Sequence, residues 1–305
     1  LGDLTLTTPF IHSLRKAAPD AHITMLVDEK LKDVVLFNPY LDEVVTIDKK
    51  GRDNSILSLW ACSRHLSKLD FDVLINLHPN ERCSFIDAMT NVKLRTGTTH
   101  KIFKWFWDVF TPLDRSMHAA DMYLDVLHQL GVQDLSNNGL EIFPGEEHFL
   151  EAELFWQEQN ITDQDKLIGF NIGSAVPTKR WPPERFAEVA DIFAAKGYKT
   201  VFFGGPMDEE MVAEATGYMQ TRPIIATGHF AIGGLAAAMR RCCLIITNDS
   251  GPMHVAISQK VPIVAMYGPS NPKLYGPYTK DAVIVTAQPP CQGCADGMKH
   301  SCDDL

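Results

Sequence analysis

The chain has 305 residues, 45% of them hydrophobic and 22% charged, a balance typical of a globular protein long enough for two ordinary domains. Its formal net charge of -10 argues against a general nucleic-acid-binding protein, because such proteins neutralise phosphates with an excess of Lys and Arg. No apolar run approaches the roughly 18 residues that a membrane span needs, and no signal peptide is recognisable.

The first half alternates short apolar runs with amphipathic segments, which is typical of α/β layering around parallel strands. The first residues have the pattern of a turn that enters a helix after a strand outside this sequence. Strands are predicted at 22–28, 43–48, 72–77 and 92–97. Helices are predicted at 6–19, 54–69 and 118–132, the last with Gly131 as its C-cap.

The second half repeats this plan. Strands are predicted at 167–173, 199–205, 223–227, 243–248, 262–268 and 282–287. Helices are predicted at 182–197, 207–219, 231–242 and 251–260. A polar segment at 136–149, followed by a helical pattern at 150–160, places a linker near 140–160. The simplest architecture is two α/β domains, residues 1–150 and 151–305, facing one another across a ligand cleft.

The most unusual stretch follows an apolar strand pattern and reads NDSGPMHVA at 248–256. Asp249 or Ser250 can cap a helix, Gly251 permits a tight turn, and Pro252 suits the first helical position. His254 would then lie in the first turn, beside N–H groups that attract anions. A well-made helix start explains the stretch without a ligand, and a phosphate site explains the histidine as well.

Two further loops follow predicted strands of the same half, where open α/β sheets collect their ligands. After the strand at 167–173, a glycine-serine turn that contains Ser174 lets backbone N–H groups approach a ligand, and Lys179 supplies a charge suited to phosphate. Glu209 and Glu210 could accept hydrogen bonds from a ribose. The structural alternatives are an exposed lysine before a proline-started helix, and first-turn acids favoured by the helix dipole.

Near the N-terminus, Asp3 lies at the start of the first predicted helix, on the rim of the first domain. It is either a helix cap or a general base that faces the cleft and takes a proton from an attacking hydroxyl. Familiar nucleotide and hydrolase motifs of the types GxxxxGK[ST], GxGxxG and GxSxG are absent from the sequence.

A basic and aromatic cluster occupies 92–110 and contains Lys101, Lys104, Trp105 and Trp107. In an acidic protein such a cluster could contact the acceptor or dock on an anionic lipid surface. The alternative is a helix that buries its aromatic side chains within its own domain.

The C-terminal tail carries a possible zinc-ligand set, made of Cys291, Cys294, His300 and Cys302. A structural zinc site needs four such ligands at suitable spacing. The chain has seven cysteines, an odd and unevenly spaced set that fits free thiols in a reducing cytoplasm.

Taken in order, these pieces resemble glycosyltransferase family 9, the ADP-heptose:lipopolysaccharide heptosyltransferases. The resemblance covers nearly the whole chain and rests on the stretches GDLTLTTP, DVLINLHPN, YLDVLHQLG, IGFNIGSAVPTKRWPPERF, NDSGPMHVA and VAMYGPSNPKLYGPY. The order and spacing of these stretches, rather than any one of them, make it specific.

The resemblance implies a GT-B fold of two Rossmann-like domains, with residues 1–150 binding the acceptor and 151–305 the nucleotide sugar. It also implies an inverting, metal-independent transfer of heptose from ADP-L-glycero-D-manno-heptose, without a cofactor. The acceptor would be the lipid A-linked core saccharide at the cytoplasmic face of the inner membrane.

The resemblance also implies residue roles. The catalytic aspartate falls on Asp3, and the phosphate-binding lysine falls on Lys179. The nucleotide-contacting glutamate falls on Glu209 or Glu210. The Asp-Ser/Thr-Gly-x-x-His signature falls on Asp249, Ser250, Gly251 and His254.

The sequence departs from the family pattern at His78 and Pro79, which stand where a glutamine-glycine pair is expected. The residues that contact the acceptor are therefore not assigned by the resemblance. Three alternatives also remain at this point. They are a family 9 enzyme for another nucleotide sugar, a nonenzymatic nucleotide-sugar sensor, and a hydrolase that uses Ser250.

Overall fold

The fold is taken from a computed structural model that describes residues 1–286. Its strands are β1 (Thr24–Asp28), β2 (Glu43–Ile47), β3 (Val73–Asn76), β4 (Leu94–Gly97), β5 (Val109–Phe110), β6 (Leu167–Asn171), β7 (Lys199–Phe203), β8 (Ile224–Ile225), β9 (Cys242–Asn248), β10 (Ile263–Tyr267) and β11 (Ala282–Thr286).

The α-helices are α1 (Gly2–Thr5), α2 (Thr8–Ala17), α3 (Ile56–Leu66), α4 (Glu81–Met89), α5 (Ala119–Gln129), α6 (Glu146–Glu158), α7 (Pro183–Ala195), α8 (Glu209–Tyr218), α9 (Ile232–Met239), α10 (Gly251–Ser258) and α11 (Pro272–Tyr275). Single 3-10 segments lie at Glu29–Val34, Ser67–Leu69, Lys101–Phe106, Pro177–Lys179 and Pro206–Asp208. Across residues 1–286, no helix combines the length and apolar character that crossing a membrane requires.

Every strand pair in the described chain is parallel, which confirms the predicted α/β class. The strands form sheets of order β1-β2, β3-β4-β5 and β11-β10-β9-β6-β7-β8. Each predicted strand is present, usually shortened by a residue or two at its ends. The sequence did not predict β5 or α4; the latter begins after Asn80, whose side chain caps it by accepting from the Cys83 N–H.

The six-stranded sheet holds a large core because its central strands are buried on both faces. All five residues of β6 are buried, and the rings of Phe170 and Phe202 stack at 5.1 Å between neighbouring strands. Phe186 of α7 is fully buried in the same cluster. Gly169 leaves room on β6, since a Cβ there would lie 2.3 Å from Ile245 Cδ1.

The described chain divides into two compact units. The first unit comprises 9–32 and 39–137. The second comprises 1–8, 33–38 and the chain from Asn138 to the end of the described residues. The boundary near residue 150 stays a prediction about domains, and the N-terminal helix α1 belongs to the second compact unit.

Residues 146–158, within the predicted linker, form the helix α6, which packs on α9. Phe155 and Trp156 are buried, and the Trp156 ring meets Phe203 edge-on at 6.4 Å. A pair of glycines lets the two helices approach closely, because a Cβ on Gly233 would lie 2.2 Å from the His148 ring. This part of the chain is therefore a packed helix of the second unit rather than a free connection.

Candidate functional site

In the second unit, β7 and β9 flank β6, so the loops after these strands leave from the same edge of the sheet. Asn171, the last residue of β6, donates from Nδ2 to Ser250 Oγ at 2.9 Å and to Thr247 Oγ1 at 3.2 Å. Asn171 is 1% exposed, so this contact is a buried one. It fixes the end of β6 against the turn that enters α10.

A second buried amide, Asn248 at the end of β9, holds the loop after β6. Its Nδ2 donates to the Ile172 carbonyl at 2.7 Å, and its Oδ1 accepts from the Trp181 N–H at 3.0 Å. Both ends of the loop 173–181 are thereby tied to one side chain. No role was predicted for Asn171 or Asn248, although the position of an Asn at the end of a buried strand is a signal that could have indicated one.

Within this loop, Lys179 forms an ion pair with Asp249, at 2.8 Å between Nζ and Oδ2. The two side chains are 14% and 6% exposed, so the pair is largely removed from water. The alternative of a solvent-exposed lysine is therefore wrong.

Tyr267 at the end of β10 also interacts with Asp249. Burial, together with the charge of Asp249 and a hydrogen bond to it, raises the pKa of Tyr267 far above its ordinary value.

The helix start at α10 differs from the prediction in one respect. Ser250 is the N-cap residue, but neither its side chain nor that of Asp249 caps the helix. Ser250 Oγ instead accepts from Asn171, and Asp249 pairs with Lys179. No side-chain cap thus occupies the start of α10, where Pro252 has no N–H and the Met253 N–H donates to the Ser250 carbonyl at 3.2 Å. A helix start without a capping side chain favours an anion.

Ser174 lies where the sequence predicts it, beside this helix start. Its hydroxyl donates to the Asp249 carbonyl at 3.4 Å and accepts from the Val176 N–H at 3.4 Å. Arg180 Nε donates to the Ser174 carbonyl at 2.8 Å. The structure therefore brings Ser174 and Lys179 together with the 249–254 turn.

Asp3 lies elsewhere than expected. The sequence places it on the first domain as a possible helix cap, whereas α1 packs on α10 in the second unit and has Leu1 as its N-cap. A Cβ on Gly2 would lie 3.3 Å from His254 Cδ2, so the α1 backbone lies against the imidazole. His254 is 4% exposed, whereas Asp3 is exposed. Asp3 thus stands at the surface, one residue after the Gly2 backbone that lies against the buried histidine.

The acidic side chains after β7 separate into different surroundings. Asp208 Oδ2 accepts from the Gly205 N–H at 2.9 Å, and a Cβ on Gly173 would lie 2.2 Å from Asp208 Oδ1. Glu209 lines a cavity of about 300 Å³, together with Val212, Ala213, Thr216, Ile225 and Thr227. Glu210 is exposed and does not line this cavity. No role was predicted from the sequence for Asp208, whose carboxylate contacts the turns after both β6 and β7.

The basic and aromatic cluster is split by the structure. Trp105 is 94% exposed on the 3-10 segment Lys101–Phe106, and Lys101 and Lys104 are exposed beside it. Trp107 is buried, with its indole N–H donating to the Thr96 carbonyl at 3.1 Å. A surface role therefore fits the first three residues and does not fit Trp107, whose ring fills the interior of the first unit.

The possible zinc ligands Cys291, Cys294, His300 and Cys302 lie outside the described residues. The zinc site remains a prediction from the sequence alone.

In the first unit, β3 ends at a buried carboxyl-amide pair that supports the loop carrying His78. Asn76 Nδ2 donates to Asp87 Oδ2 at 2.5 Å, and Asn76 Oδ1 accepts from the His78 N–H at 2.6 Å. Burial raises the pKa of Asp87 to about 8, although the Arg95 charge and the Asn76 hydrogen bond both lower it. Asp87 is therefore a neutral, protonated acid through most of the physiological range.

This raised pKa predicts a pH dependence of stability. Relative to an Asp87→Asn variant, the wild-type free energy of unfolding should fall between about pH 4 and pH 8, by up to about 1.4 kcal/mol per pH unit. The folded carboxyl keeps its proton at pH values above the pKa it has in the unfolded chain. This proton retention stabilises the folded state at low pH, and the stabilisation is lost as pH rises through the folded pKa. Urea unfolding at several pH values measures the difference.

Asp20→Asn, at an exposed position of the same unit, is the matched control and should keep the wild-type pH profile. An Asp87→Asn profile parallel to that of the wild type would contradict the assignment of a neutral buried acid.

Comparison with known proteins gives concordant matches. The model of glycosyltransferase family 9 (heptosyltransferase) matches residues 59–301. Lipopolysaccharide heptosyltransferase 3 of Escherichia coli K12 is 24% identical, over 92% of this chain and 84% of its own length. Lipopolysaccharide heptosyltransferase 2 of Salmonella typhimurium LT2 is also 24% identical, over 93% of this chain and 85% of its own length.

Solved structures agree. The family 9 glycosyl transferase of Veillonella parvula is 56% identical, with a TM-score of 0.93 over 94% of this chain and 84% of its own. The ADP-heptose heptosyltransferase II of E. coli is 21% identical, with a TM-score of 0.77 over 93% and 87% of the two chains. The latter likeness concerns the fold, and it confirms the predicted GT-B class.

Proposed function

Because the chain belongs to glycosyltransferase family 9, the heptosyltransferases, we propose that it transfers heptose from ADP-L-glycero-D-manno-heptose to the inner-core saccharide of lipopolysaccharide. The names of its curated relatives support this acceptor. An E. coli heptosyltransferase of similar fold is described with ADP and with an ADP-fluoroheptose, which supports the donor class.

The observation that carries the proposal is the largely buried ion pair of Lys179 with Asp249, beside the start of α10, which has no side-chain cap. The ammonium of Lys179 would attract the negative charge of a nucleoside diphosphate, and the Gly251 N–H would donate to it, with Ser174 and His254 next to them. Asp249 holds the ammonium at this edge of the sheet through its 2.8 Å ion pair. Donors fixed in advance stabilise charge that grows on a leaving group, since they need no reorganisation during the reaction.

The glutamate that contacts the nucleotide is assigned here to Glu209 rather than Glu210. Glu209 borders the cavity between α8 and β8, where a ribose or base would find both a carboxylate and the Thr227 hydroxyl. Asp208 supports the neighbouring Gly205 turn and serves as a positioning residue.

The proposed transfer inverts the anomeric centre and uses no metal. Asp3 takes the proton of an acceptor hydroxyl, whose oxygen forms a bond to the anomeric carbon from the face opposite ADP. The bond from that carbon to the diphosphate oxygen breaks, and its electron pair leaves with ADP. Asp3 suits this role because its carboxylate is exposed to an incoming acceptor while its helix lies against His254.

The acceptor is proposed to be linked to lipid A and presented at the cytoplasmic face of the inner membrane. The exposed Trp105 with Lys101 and Lys104 would contact the acceptor or the adjoining membrane.

The test of this function is an Asp3→Asn variant. Transfer from ADP-heptose should fall by about 10²- to 10⁴-fold, because the variant cannot accept the proton. ADP should still raise the melting temperature as in the wild type, since the diphosphate site is unchanged. Mass spectrometry of the acceptor measures transfer. Wild-type transfer should be the same with and without EDTA, because the proposed reaction uses no metal.

Asp163→Asn is the matched control, because Asp163 is exposed and precedes β6, at the opposite edge of the sheet. Full turnover by Asp3→Asn would refute the base assignment. A wild-type protein that binds ADP-heptose without transferring it would favour the sensor alternative, and turnover with another nucleotide sugar alone would replace the donor.

A further inference from the structure

The start of α3 in the first unit exposes three large apolar side chains. Ile56 is 73% exposed, Leu57 78% and Trp60 52%. The opposite face of the helix supplies the core, where Leu59 and Leu66 are each 5% exposed. The outer apolar side chains are therefore additional to those that the core requires, and an exposed cluster of this kind is typical of interaction surfaces.

This helix start is held in place by its own hydrogen bonds. The Ser55 and Ser58 side chains form a reciprocal capping box, with both backbone contacts at 3.1 Å. Arg82 donates to the Lys49 carbonyl and to Asn54 Oδ1, each at 2.6 Å. We call the exposed side chains of Ile56, Leu57 and Trp60 the apolar tip. Because the helix start that carries them is preorganised, less conformational entropy is lost when the apolar tip is buried against a partner.

The loop before α3 satisfies its polar groups internally. Asp48 Oδ1 accepts from the Gly51 N–H at 2.9 Å, and Asp53 Oδ2 accepts from the Asp48 N–H at 2.9 Å. The two acidic side chains of the segment 48–65 thus serve the loop. Its four cationic side chains are Lys49, Lys50, Arg52 and Arg64.

One of these cations contacts the exposed apolar side chains, and the others lie in the loop that leads into α3. The Arg64 guanidinium stands 6.0 Å from the Trp60 ring, and Lys50 and Arg64 form no ion pair within residues 1–286. Arg52 pairs with Glu29 at 3.1 Å and with Asp53 at 3.3 Å but remains 63% exposed. A cationic surface around exposed Trp, Leu and Ile in a chain of net charge -10 complements an anionic, partly apolar surface.

A second surface of the same composition lies in the same unit. Ile102 is 58% exposed, next to Trp105 and the exposed Lys101. The helix α4 packs against both α3 and this 3-10 segment, and its Phe85 meets Phe103 edge-on at 6.3 Å. One helix therefore supports two segments that combine exposed apolar side chains with lysine or arginine.

We propose that Ile56, Leu57 and Trp60 insert into the interface of a bilayer that contains anionic lipid. Lys50, Arg52 and Arg64 contact the headgroup phosphates. Trp and the aliphatic pair bury apolar area at the headgroup boundary, and the cations add an electrostatic attraction that salt weakens. The inference extends the proposed function by naming how the enzyme meets a lipid-linked acceptor, but lipid binding itself requires no sugar transfer.

The test is co-sedimentation with vesicles of phosphatidylcholine, with or without phosphatidylglycerol. The wild type should bind the anionic vesicles, and the triple variant Ile56→Ser, Leu57→Ser, Trp60→Ser should bind them at least about tenfold more weakly. Because the three side chains are exposed, the variant should keep the wild-type melting temperature. The pair Lys50→Glu, Arg64→Glu should also weaken binding, and about 0.5 M salt should reduce wild-type binding.

The matched control replaces three apolar residues of similar exposure in the second unit, Leu150, Ile192 and Tyr218, by Ser. This control should bind vesicles as the wild type does. Equal binding by the tip variant and the wild type, or no wild-type binding to anionic vesicles, would overturn the inference. A change in oligomeric state without a change in vesicle binding would assign the tip to a protein contact instead.

Activity on a water-soluble acceptor separates the two proposals. The tip variant should transfer sugar to it at the wild-type rate. Normal transfer without vesicle binding by the wild type would overturn only the membrane inference, whereas vesicle binding without any transfer would overturn only the proposed function.

Discussion

Replacing Lys179 by Met is expected both to abolish sugar transfer and to destabilise the second unit. Transfer should fall by about 10²- to 10³-fold in kcat/KM, the usual cost of removing one preorganised donor to a developing charge. The free energy of unfolding should fall by about 3–5 kcal/mol, because the buried Asp249 carboxylate loses its counter-ion. Activity with ADP-heptose and urea unfolding measure the two losses.

The double variant Lys179→Met, Asp249→Asn separates these effects. Neutralising both partners should return stability to within about 1.5 kcal/mol of the wild type, whereas transfer should remain lost. Lys196→Met, at an exposed position of the same unit, should change neither quantity. If the single variant kept transfer, the diphosphate role would be wrong; if it kept full stability, the ion pair would not be buried in solution.

Replacing Gly97 by Ala is expected to unfold or strongly destabilise the first unit, by about 3 kcal/mol or more. Gly97 ends β4 with φ +93°, a conformation that favours glycine, and an added Cβ would lie 2.3 Å from the Asn76 carbonyl oxygen. The neighbour is backbone and cannot rotate away. Asn76 also holds Asp87 and the His78 loop, so the displacement would spread to the proposed acceptor side.

Gly131→Ala provides the matched control. Gly131 has φ +94°, but an added Cβ would have no neighbour within 4 Å. The free energy of unfolding of Gly131→Ala should therefore fall by only about 1 kcal/mol, the cost of placing alanine at a positive φ. Chemical unfolding of both variants isolates the steric part as their difference, and equal losses would show that the contact with Asn76 relaxes without cost.

Much of the fold could be predicted from hydrophobic periodicity. The apolar runs that became β6, β7, β9 and β10 lie in buried parallel strands, where side chains on both faces must be apolar. The two-residue β5 was missed because so short a strand has no period of its own.

The candidate site was predicted less completely. Lys179, Ser174 and the 249–254 turn were found because they follow strands, and parallel strands end at a common edge. Asp208, Asn171 and Asn248 were missed, since each acts through a contact with a residue distant in the sequence.

The sequence by itself determined the α/β class, the positions of most strands along the chain and the family, because these depend on local pattern and on motif order. Only the tertiary structure decided which partner each polar side chain takes. Asp249 pairs with Lys179 rather than capping α10, Trp107 is buried while Trp105 is exposed, and α1 packs on α10. The physical reason is that burial and pairing depend on neighbours brought together by the folded chain, which adjacent residues in the sequence do not specify.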